Sequence, residues 1–173
     1  YVLIIDEINR GNVSQIFGEL ITLIEEDKRL DKDEALEVIL PYSKEKFGVP
    51  SNLFIIGTMN TADRSVEALD TALRRRFSFI EMMPEYEKLD EIDFVDFNLG
   101  EVLITINQRI EALLDRDHTI GHSYFINIKP NDTEALKEAF QNKIIPLLQE
   151  YFYHDYEKIA LILGEGFVDC KEP

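Results

Sequence analysis

Short apolar runs and helical stripes divide this chain. Val2-Leu3-Ile4-Ile5 runs straight into Asp6-Glu7, and Leu53-Phe54-Ile55-Ile56-Gly57 runs into the polar stretch 58–65. Apolar runs of roughly four to eight residues belong to strands covered on both faces, as in a parallel sheet. Between them Val13, Ile16, Phe17, Leu20, Ile21 and Ile24 recur at helical spacing, with Asn12 as N-cap and Gln15 as a weak capping-box partner. Residues 36–42 and 46–49 predict a hairpin around Ser43-Lys44-Glu45, with Pro41 confining its strand to an edge. A helix over 66–75 and a third strand over 77–82 complete the predicted alternation, which implies βαβ units. Beyond Pro84 the pattern is helical: Val102, Leu103, Ile106, Ile110, Leu113 and Leu114 form one stripe. Asp132 or Thr133 caps a helix carrying Leu136, Ala139 and Phe140, and Pro146 suits the first turn of the next. A last helix over 155–163 closes at Gly164. The expected fold class is α/β: a parallel sheet in 1–84, then an all-helical domain in 85–173.

Apolar residues make up 45% of the 173 positions, enough for a sizeable core. No apolar run approaches the ~20 residues that span a bilayer, and no basic-plus-apolar leader opens the chain, so no membrane partner is expected. The single Cys170 excludes an internal disulfide and fits a reducing cytoplasm. A net charge of −16, from 18 basic and 34 acidic side chains, disfavours this chain as a nucleic-acid clamp. Seven carboxylates and one lysine lie in 85–101, either a solvated face or a docking surface for a basic partner.

Ligands in open α/β sheets sit beyond the carboxyl ends of the strands, where Asp6 and Glu7 fall. Asp6 is a hard oxygen ligand suited to magnesium, acting through the ion's waters. Glu7 can take a proton from an attacking water or orient it. An ordinary acidic loop is the plain alternative. Asn60, after the second apolar run, can donate to a terminal phosphate and accept from that water, or simply stabilise a turn. Asp63 and Arg64 can pair with each other or reach a neighbour. Three adjacent arginines, Arg74, Arg75 and Arg76, are costly to cluster without anions nearby. An arginine reaching a neighbouring subunit's site can contribute ~10³–10⁵ in rate; a solvated helix end is the alternative. His118 and His122 have no acid or thiol at zinc-ligand spacing. His122 and Tyr124 either pack structurally or touch nucleotide or the adjacent domain, while Tyr151, Phe152, Tyr153 and Tyr156 read as helical core.

These motifs carry a family resemblance. Leu3-Ile4-Ile5-Asp6-Glu7-Ile8-Asn9-Arg10 resembles the Walker B segment of the AAA+ superfamily. Met59-Asn60-Thr61-Ala62-Asp63-Arg64-Ser65 resembles the sensor-1 signature of its McrB branch, the GTP-hydrolysing motors of modified-cytosine-specific restriction systems. Ala72-Leu73-Arg74-Arg75-Arg76-Phe77 matches the arginine-finger segment, with Asp70 also in place, and the hairpin falls where this branch carries an insertion. Ile120-Gly121-His122-Ser123-Tyr124-Phe125 is similar to part of the McrB lid. The resemblance implies a partial AAA+ P-loop NTPase sheet followed by a helical lid. It makes Asp6 the magnesium-associated acid, Glu7 the catalytic acid, Asn60 sensor 1, and Arg75 and Arg76 a trans-acting pair, with Asn9, Asp63 and Arg64 near the nucleotide.

The implied cofactors are Mg2+ and GTP, with ATP as the other candidate. No G-x-x-x-x-G-K-[ST] loop occurs, so the chain reads as a C-terminal fragment beginning at the Walker B strand and inactive alone. The parent is expected to form a ring, a hexamer, that couples GTP hydrolysis to DNA translocation. It would activate a McrC-like endonuclease and read modified DNA, such as 5-methylcytosine, through a missing N-terminal domain. Two alternatives stay open: an ATP-dependent remodelling chaperone of the neighbouring MoxR-like clade, and a truncated, non-catalytic docking module.

Overall fold

The computed structural model describes residues 1–62 and 71–164. Asp63, Arg64 and the predicted start of the helix at 66 lie outside the described residues. Backbone contacts divide the chain into two compact units, Tyr1–Ile80 and Glu81 onward.

In the first unit, β1 (Val2–Ile5) pairs in parallel with β4 (Phe54–Gly57), in a register that sets Val2 opposite Phe54 and Ile5 opposite Gly57. β2 (Val38–Ile39) and β3 (Lys46–Phe47) form the expected antiparallel hairpin, closed where Lys44 takes a left-handed φ of 60°. Two expectations are corrected. The first is coverage on both faces: Val2, Ile4, Phe54 and Ile56 are all more than half exposed. With two strands alone, the row that carries them lies open to solvent, while Ile5 and Ile55 on the other face pack against the core. The second is the strand over 77–82. These residues carry no strand pairing, and Phe79, Ile80 and Met82 point into solvent. A strand exists only through a partner's hydrogen bonds, and none of the described strands is paired to this segment.

The predicted first helix is present in two pieces. Asn12 caps α1 (Val13–Phe17) through its side-chain oxygen, which accepts from the Gln15 amide at 3.0 Å. Gly18, at φ 51°, then breaks the α pattern, and Gly18–Ile24 winds as a tighter 3₁₀ turn. Ile8, Leu23, Ile24, Val49 and Leu73 form the core of this unit. α2 (Thr71–Arg74) contributes Leu73, which is 1% exposed and anchors the arginine segment in that core.

The second unit is helical. α3 (Leu99–Leu113) buries Leu99, Leu103, Ile106 and Ile110 and is capped by Asn98, whose oxygen accepts from Gly100 at 2.8 Å and Glu101 at 3.3 Å. Asp132 caps α4 (Thr133–Ala139), and the chain passes through a π turn, Phe140–Ile144, into α5 (Ile145–Tyr151). Pro146 thus lies inside a continuous helical run. Proline lacks the N–H an α turn would use, and the wider turn ahead of it accommodates that loss. Tyr153 and His154, both left-handed, reverse the chain into α6 (Tyr156–Leu163), which Asp155 caps and Gly164 closes at φ 97°. No described helix is long and apolar enough to cross a membrane.

Candidate functional site

The parallel register decides what meets at the strand ends. With Ile5 opposite Gly57, the residues beyond β1 lie beside those beyond β4. The ladder runs one step further: the Thr58 amide donates to the Ile5 carbonyl at 3.0 Å, and the Ile8 amide to the Thr58 carbonyl at 2.9 Å. Gly57 leaves room for this close approach: a Cβ at that position would lie 3.0 Å from the buried Ile8 side chain, which would have to give way.

Asp6 and Glu7 therefore emerge together at the carboxyl edge. The Thr58 hydroxyl donates to Asp6 Oδ1 and accepts from the Glu7 amide at 3.0 Å. Glu7 is left-handed, φ 51° and ψ 47°, a conformation uncommon for a residue with a side chain. Its Oε2 pairs with Arg10 Nε at 2.8 Å, about half exposed on each side. Asn9 Nδ2 donates to the Asn60 carbonyl at 3.2 Å, and Asn60 Oδ1 accepts from the Ala62 amide at 3.0 Å. Asp6, Glu7, Asn9 and Asn60 thus occupy one site, stitched across the two strands. Thr58, which holds both acids, was not singled out by sequence reasoning. Its signal was the register, which places position 58 beside the acid pair.

The three arginines have different surroundings. The Arg74 guanidinium lies 5.6 Å from the centre of the Phe79 ring. Arg75 is exposed. Arg76 is 17% exposed and ion-paired with Glu25 through Nη2. Arg29 holds the segment beside it, donating from Nε and Nη2 to the Ile24 carbonyl at 3.2 and 3.1 Å and from Nη1 to the Leu53 carbonyl. The described side-chain contacts here are thus Arg74 with Phe79 and Arg76 with Glu25. Asp63 and Arg64 lie outside the described residues.

Among the described residues no group of three His, Cys, Asp or Glu side chains is arranged to hold a metal. Asp6 and the Thr58 hydroxyl offer two oxygens, a donor set that fits magnesium better than zinc, because magnesium keeps most of its waters.

The described contacts of His118 and His122 lie within the helical unit. His118 is buried, bonds Asp115 through Nδ1, and meets the Tyr151 ring edge-on at 4.8 Å. Burial pushes the Tyr151 hydroxyl up to about 12. His122 Nδ1 accepts from the Glu85 amide at 3.0 Å. Asn107, another residue that sequence reasoning missed, is 1% exposed. It donates to the Ile120 carbonyl at 2.9 Å and accepts from the Ile120 amide at 2.7 Å, and it also donates to the Tyr86 hydroxyl at 3.1 Å.

Comparison with known proteins matches both units. Residues 1–77 match the AAA domain (dynein-related subfamily), and residues 98–160 match McrB, alpha-helical lid domain. The chain is 44% identical over 176 residues to the type IV methyl-directed restriction enzyme EcoKMcrB subunit of Escherichia coli K12, covering 90% of this chain and 37% of that protein. It is 30% identical over 197 residues to the type II restriction enzyme BsuMI component YdiS of Bacillus subtilis 168, covering 99% of this chain and 54% of that protein. The α/β class, an AAA domain followed by a helical lid, stands.

Proposed function

Since this chain, pairing an AAA domain with the McrB helical lid, belongs to the McrB-like AAA+ family, we propose that it is the Walker B, sensor and lid portion of a restriction-system motor that hydrolyses GTP. One observation carries the reading: two adjacent acids at the end of β1 are tied by side-chain hydrogen bonds to the Thr58–Asn60 loop after β4. Phosphoryl transfer asks a protein for positioned charge and an oriented water rather than covalent chemistry.

Asp6, beside the Thr58 hydroxyl, would hold magnesium, which supplies charge neutralisation on the phosphates. Glu7 accepts the proton of the attacking water. Asn60 commits its side-chain oxygen to Ala62, which leaves its NH2 as the group for a phosphate oxygen. Asn9 fixes the backbone of Asn60, and Asp63 and Arg64 would serve the nucleotide side. Arg75 and Arg76 belong to the neighbouring subunit's site in a ring, of which the hexamer is the proposed form. The parent would couple hydrolysis to movement on modified DNA and to activation of a McrC-like endonuclease.

The test is Glu7→Gln in the full-length protein. Turnover should fall by roughly two orders of magnitude or more, with GTP affinity retained; unchanged hydrolysis overturns the assignment. Running GTP and ATP side by side, with and without DNA, separates this reading from an ATP-dependent remodelling factor, which would prefer ATP and ignore DNA.

A further inference from the structure

We infer that Thr58 is a positioning residue for hydrolysis, its hydroxyl holding Asp6 and Glu7 as one unit; this rests on the hydrolase reading above. Thr58 makes four hydrogen bonds into the segment 5–8. Two are backbone bonds that extend the β1–β4 ladder. The other two come from its hydroxyl, which uses its proton on Asp6 Oδ1 and a lone pair on the Glu7 amide.

The hydroxyl pair adds little to the fold. Both partners are exposed, so water would replace either bond at small cost. Their effect is directional. One fixes a carboxylate oxygen of Asp6. The second grips the amide of a left-handed Glu7, the conformation that sets where its side chain departs from the strand end. A single hydroxyl therefore couples the carboxylate of the metal-side acid to the backbone that carries the water-side acid. Catalytic groups displaced by about 1 Å can lose about a hundredfold in rate, so this restraint acts on turnover rather than on binding.

Full-length protein carrying Thr58→Val, Thr58→Ser or Glu7→Gln separates the possibilities. Valine keeps the branched shape and removes the hydroxyl; serine keeps the hydroxyl. In Thr58→Val, kcat for GTP should fall about ten- to hundredfold, with nucleotide Kd and melting temperature near wild type. Hydrogen exchange at the Glu7 amide should accelerate. Thr58→Ser should restore both turnover and slow exchange.

Wild-type turnover in Thr58→Val, in a protein that Glu7→Gln inactivates, overturns this inference alone. So does loss of binding and melting temperature together without rescue by serine. Normal hydrolysis in Glu7→Gln overturns the functional reading instead. The exchange rate at Glu7 still decides whether the hydroxyl holds the pair: no acceleration in Thr58→Val refutes it.

Discussion

Arg75 and Arg76, both proposed to serve the neighbouring subunit's site, stand in different surroundings. Arg76 is mostly buried against Glu25, so Arg76→Ala strands a partly covered carboxylate. It should cost about 1–3 kcal/mol of stability, read as a lower melting temperature that Glu25→Gln partly restores. Arg75 projects into solvent, so Arg75→Ala should leave melting unchanged. In the assembled full-length protein it should reduce turnover by about 10³-fold or more. Equal melting losses for the two variants would contradict this division. Asp6, Glu7 and Asn60 were legible in the sequence because each follows an apolar run, and position after a strand is a local property. Thr58 and Glu25 were not, because a hydroxyl or carboxylate gains its role only from a partner that the tertiary fold brings close.

Elements show the same divide. The caps at Asn12, Asp132 and Gly164 were readable, since a cap and its target lie within a few residues of each other. The strand over 77–82 was misread because an apolar run states a preference and the pairing must come from elsewhere. In α3 the two asparagines separate local from non-local stabilisation. Asn98→Ala removes a cap and should cost about 1 kcal/mol. Asn107→Ala abandons the buried amide and carbonyl of Ile120 and should cost about 2–4 kcal/mol. Chemical denaturation of the helical unit measures both, and similar losses for the two would refute the ranking.

Across the whole molecule, acidity is distributed unevenly in its consequences. The carboxyl of Asp115 is held below its ordinary 3.8, chiefly by the His118 hydrogen bond, and that of Asp155 likewise by Lys158. Groups that ionise more readily when folded stabilise the fold above their unfolded pKa, and that contribution drains away as pH falls through the folded value. The melting temperature of the helical unit should therefore hold until the pH approaches about 4 and decline below it, with a shallower decline in Asp115→Asn. A melting temperature constant between about pH 5 and pH 2.5 would contradict the assignment. The exposed apolar face of β1 and β4 carries a calorimetric consequence. Whatever comes to cover Val2, Ile4, Phe54 and Ile56 must expel water from apolar surface. Its association will be marked by a negative heat-capacity change, with a binding enthalpy that grows more exothermic on warming.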